Sequence, residues 1–289
     1  MGHSEKELPQ YEDILSDKEE KEKDMETEKD KLIADVHSAT SISISDAPTL
    51  ASTSASVNGS ERSFHPVRQL RIDACGIGLL RLPLPSSQLE IPVYDADNGS
   101  LAYVSTRSRR CSGDAILSHP LRGAVVSTTY FFGPCRDPVV RVLSAAGGTD
   151  KDDPNTVDVP LSGKWTSRAV LFRVAGRMLE WSYAKGKDRT TGENVNLIVL
   201  RCRPDNDDAS KEGDSKILAQ LIRSKDTRSP GSSRCTAGNG GLLVIDRDAE
   251  QYLDECLVVA TCLIMLKREI DRRRMLQMAM IAGAAGGAH

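Results

Sequence analysis

The sequence predicts a mainly β protein: about 12 antiparallel strands closed into a barrel around a C-terminal hydrophobic α-helix, preceded by a disordered tail. Three observations carry this expectation. From Pro66 onward, short apolar or alternating runs recur at roughly 8–12-residue spacing with turn formers between them, the rhythm of an antiparallel sandwich or barrel. Near the C-terminus, Cys256 to Leu266 contains Thr261 as its single polar residue, so this stretch is apolar on every face and belongs inside a protein core. Residues 1–65 hold 15 Asp/Glu and 7 Lys/Arg, a net of −8, with only Tyr11 and Phe64 as aromatics. Such a segment cannot bury enough apolar surface to offset its ordering entropy.

The chain has 289 residues, 39% of them hydrophobic and 27% charged, which excludes collagen, coiled-coil and wholly disordered classes. Residues 66–289 carry a net of +5, so an acidic tail precedes a mildly basic body. The seven cysteines are odd in number and scattered, and none has the C-x-x-C spacing of a zinc or redox site. Free thiols in a reducing compartment are expected. The first ten residues, MGHSEKELPQ, lack the apolar region of a secretory signal. A cytoplasmic protein, peripheral at membranes at most, is the expectation.

Three segments follow. Residues 1–65 are the acidic, Ser/Thr-rich tail, 66–282 the barrel with its helix at about 249–282, and 283–289 a flexible Gly/Ala end. The expected strands are Arg68–Asp73, Gly78–Leu82, Leu89–Tyr94, Leu101–Thr106, Ala115–Ser118, Ala124–Phe132 and Val139–Leu143. Arg168–Val174, Arg177–Tyr183, Leu197–Cys202, Ile217–Arg223 and Gly241–Ile245 complete them. Asp95–Ser100, His119-Pro120, Ala175-Gly176 and Lys185–Arg189 are the turns between several of these strands. Ala146–Asn155 and Pro204–Ser215 are polar and Asp/Gly-rich, and read as long loops. In the helix, Asp248 is the expected N-cap, with Gln251 three residues on. Leu257, Val258, Leu263, Ile264 and Leu266 are its core-facing residues. The apolar part spans about 16 Å against about 30 Å for a bilayer core, so no transmembrane segment is expected.

This order of elements, a run of antiparallel strands followed by the helix segment LVVATCLIML (Leu257–Leu266), resembles the tubby C-terminal barrel and its LURP-one and phospholipid-scramblase relatives. The stretch from Thr227 to Gly241 also looks like that of a group of uncharacterised fungal proteins with the same layout. The resemblance implies a closed barrel around a central helix, and phosphoinositide headgroups bound by basic strand residues. It identifies no headgroup-binding residue in this sequence.

Two candidate sites stand out. Leu8-Pro9-Gln10-Tyr11 looks like a Leu-Pro-x-Tyr variant of the motif read by WW domains of ubiquitin ligases. Pro9 presets a polyproline II turn, and Tyr11 fits an aromatic groove. The cluster Arg107, Arg109 and Arg110 follows the Leu101–Thr106 strand, and guanidinium forks suit the phosphate oxygens of an anionic headgroup. The same residues also fit a solvated turn or, with Ser112, a basic-directed kinase site. Gly238–Gly241 reads as a tight turn ahead of a strand. The basic run Lys267–Arg274, interrupted by Glu269 and Asp271, reads as an answer to the helix dipole at the barrel mouth. Neither a nucleophile–base set nor a metal or cofactor pattern is visible, so no catalytic residue is assigned. The expected role is a non-enzymatic module for anionic membrane lipid. An adaptor that recruits a WW-domain protein is the alternative and an enzyme the third reading; nucleic acid is not an expected partner.

Overall fold

The computed structural model describes residues 64–79, 88–109, 112–132, 137–143, 157–163, 167–187, 194–203 and 215–286. The strands are β1 (Pro66–Ile77), β2 (Glu90–Asp95), β3 (Leu101–Thr106), β4 (Ala115–His119), β5 (Gly123–Thr129) and β6 (Val139–Val142). They continue as β7 (Val157–Pro160), β8 (Val170–Val174), β9 (Arg177–Lys187), β10 (Asn194–Arg203), β11 (Lys216–Arg223) and β12 (Ala237–Asp246). A 3-10 turn (Arg247–Gln251) leads into the single described α-helix, α1 (Glu255–Gly286).

All twelve strands form one antiparallel sheet in which strands consecutive in sequence pair, β7 and β8 excepted, and β12 returns to pair with β1. The remaining seam, between β7 and β8, is bridged where Ser162 and Leu171 exchange two backbone hydrogen bonds of 2.8 and 2.7 Å. The result is a nearly closed barrel, as the strand rhythm predicts. Eight strands suffice to fill a lumen with side chains, whereas twelve leave a wider one. Helix α1, about 10 Å across, occupies that space. Every residue from Leu257 to Leu266 is buried, which includes Leu257, Val258, Leu263, Ile264 and Leu266. They pack against inward positions such as Leu70 and Ile72 of β1, Phe172 of β8 and Ile198 and Leu200 of β10. Thr261 is accommodated because the Trp181 indole N–H donates to its hydroxyl (2.9 Å), which in turn donates to the Leu257 carbonyl (2.7 Å).

Several details differ from the expectations. The helix does not start at Asp248. Asp246 instead caps the 3-10 turn by accepting from the Asp248 N–H, and Asp248 pairs with Lys216. The chain must leave β12 and turn back into the lumen, and the break at Tyr252–Asp254 makes that turn. At the far end α1 continues past residue 282 to Gly286. The Gly78–Leu82 strand is not formed at its described residues, because β1 runs on to Ile77 and Gly78 and Leu79 leave the ladder. Phe64 and His65, placed in the tail by composition, belong with the barrel: the His65 N–H donates to Asp246 (2.6 Å), and Phe64 packs on the outward cluster of Val195, Leu197 and Val199. The tail 1–63, and with it the disorder expected there, lies outside the described residues, as do both long loops apart from Ser215.

Gly238–Gly241 is no turn but the start of β12. At Gly240 a Cβ would lie 1.9 Å from the Ile72 carbonyl oxygen and 2.7 Å from the Ser229 hydroxyl. Glycine is required there because β1 and the β11–β12 connection press on β12 from both sides. Gly240→Ala is therefore expected to cost about 1–3 kcal/mol, the range for overpacking a tight site. Gly78→Ala, where a Cβ meets open space, is expected to melt with the wild type. Urea denaturation of the two variants checks both.

Candidate anion-binding site

Because the sheet is antiparallel and sequential, the ends of all odd strands and the starts of all even ones meet at a single rim. Helix α1 runs toward that rim and carries Lys267–Arg274 to it. The charges there are held by specific partners. Asp271, fully buried, accepts from both Lys267 (2.6 and 2.8 Å) and the Tyr130 hydroxyl (2.7 Å). Arg223 at the end of β11 grips Glu269 through two nitrogens, at 2.7 and 3.0 Å, and the Gly238 N–H donates to the same carboxylate at 2.8 Å. Arg268 donates to the Gly163 carbonyl (3.1 Å), and Arg272 to the Tyr183 hydroxyl (3.1 Å).

Burial works against the charges of Lys267, Arg268, Arg223 and Glu269. It pushes the Lys267 ammonium below its usual value even though Asp271 beside it acts the other way. It lowers Arg268 in the same manner. Burial alone would raise the Glu269 carboxyl, but Arg223 and the Gly238 amide outweigh it and hold Glu269 below the ordinary carboxylate range. The supply of acceptors falls short of the supply of donors. Among the described residues, the donors Arg223 Nε, Arg268 Nη1, Arg273 Nη1, Arg274 Nε and Arg274 Nη2 are buried without a hydrogen-bond partner, against a single such acceptor, Gln277 Oε1. An unsatisfied buried donor costs about 1–3 kcal/mol, more when charged, so five in one rim mark a place where an acceptor is wanted.

Beside this collar lies a groove of about 430 Å³. Seven cations line it: Arg168 ahead of β8, Lys185 on β9, Arg223 on β11, Arg228 and Arg234 in the β11–β12 connection, and Arg272 and Arg273 on α1. Among the described residues Glu269 is the one carboxylate lining it, and Arg223 already holds it. The Arg168 and Arg272 guanidiniums each sit 5.8 Å from the Tyr183 ring centroid, which fixes two of the cations by cation–π contact. Guanidinium forks grouped in this way offer paired N–H donors to phosphate oxygens.

The sequence candidates fall differently. Arg107 is buried and faces inward, where it shares a cavity of about 20 Å³ with Lys267, Ser105, Thr128 and Tyr130. Burial lowers its guanidinium, with Asp271 acting in the opposite direction. Arg109 is exposed, and Arg110 lies outside the described residues. Arg107 thus enters the barrel while Arg109 faces solvent, both at the same rim. Leu8, Pro9 and Tyr11 also lie outside the described residues. His119 stacks edge-on against Tyr103 at 5.5 Å and accepts from the Leu121 N–H, a packing role. Cys262 is fully buried, and burial pushes its thiol up to about 12. Among the described residues no cluster of His, Cys, Asp and Glu is arranged to hold a metal, and no helix is long and apolar enough to cross a membrane.

The groove cations are drawn from five separate parts of the chain, so no local motif announces them. The usable signal was the basic run Lys267–Arg274 together with arginines at strand ends. Neither family models nor curated proteins nor solved structures match this chain.

Proposed function

We propose that this chain is a non-enzymatic binding module whose rim groove holds a multiply phosphorylated anion. The observation that carries the reading is the imbalance just described: among the described residues, seven cations face one carboxylate that is already paired, and two of them, Arg223 and Arg273, keep a buried donor nitrogen without an acceptor. A ligand bearing several phosphates supplies both the charge and the acceptor oxygens. The tubby-like resemblance implies the same ligand class, phosphoinositide headgroups, although the residues here are those of the groove rather than Arg107, Arg109 and Arg110.

Calorimetry with inositol hexakisphosphate tests this. Binding is expected in the micromolar range, about −8 kcal/mol. It should weaken as sodium chloride rises, because exposed charge contacts are screened. The triple variant Lys185→Gln/Arg234→Gln/Arg273→Gln is expected to lose at least tenfold in affinity with an unchanged melting point, since Lys185 and Arg234 are exposed and the change at Arg273 removes a buried nitrogen that has no hydrogen-bond partner. Equal affinity in the variant, or no heat from the wild type, overturns the reading.

A further inference from the structure

The last described part of α1 sets a second feature against the cationic rim. From Met275 to Gly286 the helix contains no Asp, Glu, Lys or Arg. Its large apolar side chains are exposed: Leu276 at 59%, Met278 at 41%, Met280 at 64% and Ile281 at 52%. The Gln277 amide donates to the carbonyls of Gly78 (3.3 Å) and Leu79 (3.0 Å), which ties this part of α1 to the rim and sets exposed Leu79 beside it. Isolated exposed apolar side chains are ordinary, whereas a run of them at one end of a helix marks an interaction surface.

We infer that this helix end is a membrane anchor that inserts into the interface of a bilayer containing anionic lipid, with the cationic rim seated on the headgroups. The inference rests on the proposed anion groove and names the source of its ligand as a membrane surface. Three observations select this occupant. The apolar end begins directly after Arg272, Arg273 and Arg274, so charge gives way to hydrocarbon within one helical turn, the polarity of a lipid interface. Leu276 lines the groove itself, so groove and anchor are continuous. Twelve residues of helix reach about 18 Å, less than the roughly 30 Å hydrocarbon core, which suits shallow insertion and not a span. A second copy is a poorer occupant. Tip-to-tip contact would bring two cationic rims together, and like charges oppose it.

Vesicle sedimentation with the full chain tests this, using phosphatidylcholine vesicles with and without phosphatidylserine. The wild type is expected to sediment with the anionic vesicles and at least tenfold less with the neutral ones. Met278→Asp/Ile281→Asp should lose at least tenfold in vesicle binding while it keeps wild-type affinity for inositol hexakisphosphate. In Ile281→Trp, fluorescence should shift to the blue when anionic vesicles are added. Undiminished sedimentation of the Met278→Asp/Ile281→Asp variant overturns the inference. So does ultracentrifugation that finds a wild-type dimer converted by that variant to a monomer, which would make the helix end a contact between copies. Tip-dependent vesicle binding without any binding of inositol hexakisphosphate supports the anchor and overturns the groove alone.

Discussion

Val259→Asp is expected to abolish the folded barrel. Val259 has no exposed surface and lies in the stretch of α1 that the strands enclose on all sides. A carboxyl group placed there finds no charge partner and no water. Leaving such a group buried without hydrogen bonds costs several kcal/mol, and ionising it costs far more. The lost apolar burial of the valine adds about 1.5–3 kcal/mol. Against a typical total of about 5–15 kcal/mol, the sum removes most or all of the stability. Met278→Asp lies on the same helix but outside the enclosed stretch, and it is expected to melt within about 0.5 kcal/mol of the wild type. Circular dichroism and urea denaturation of the pair decide the matter. A Val259→Asp protein with the wild-type midpoint would mean that α1 is not a lumenal helix.

The lumenal helix was legible because ten successive residues that are apolar except for Thr261 leave a helix no solvent face. Most strands were legible for a related reason: alternation such as Leu70, Ile72 and Ala74 on β1 records which face meets the lumen. β7 was not. Its four residues, Val157–Pro160, end in proline and bury only Val159, so nothing local separates them from a loop. Pairing makes it a strand, since Val159 sits opposite Val140 and the barrel needs an edge to approach β8. Gly238–Gly241 misled for the opposite reason. Glycine runs usually mark turns, and here they relieve crowding between strands, a fact that only the partners' positions reveal. The site was the least legible part. Arg107 and Arg109 are two apart at a strand end, yet one enters the barrel and the other faces water. The groove collects Lys185, Arg223, Arg234 and Arg273 across nearly ninety residues of chain, and the pairing of β9 through β12, with α1 brought to their rim, makes them neighbours.

The pair Arg223–Glu269 couples the groove to the barrel, and a double-mutant cycle on it is expected to show strong non-additivity. Both side chains are largely buried, at 8% and 12% exposure, and they share two hydrogen bonds. Arg223→Leu leaves the Glu269 carboxylate with the Gly238 amide as its main support, and Glu269→Leu leaves a buried guanidinium unpaired. Each single change is expected to cost about 3–5 kcal/mol, because what remains is an uncompensated charge in a poorly solvated place. The double change removes both charges, and its cost is expected to fall below the sum of the singles by at least about 2 kcal/mol. Acid provides an independent check. Glu269 is held below the ordinary carboxylate range in the fold, so it binds fewer protons folded than unfolded. Its contribution is therefore present above the unfolded value of about 4.3, and is lost as pH falls from there through the lower folded value. In the double variant that part of the acid-induced loss should be missing, so its stability should fall less steeply than the wild type's below about pH 4.3. Additive singles, or identical acid limbs in the two proteins, would mean that the pair is solvated and that Arg223 is as free to meet a ligand as the other groove cations. Strong coupling instead means that Glu269 holds Arg223 in place, and that the remaining cations of the groove are the ones left to meet phosphate.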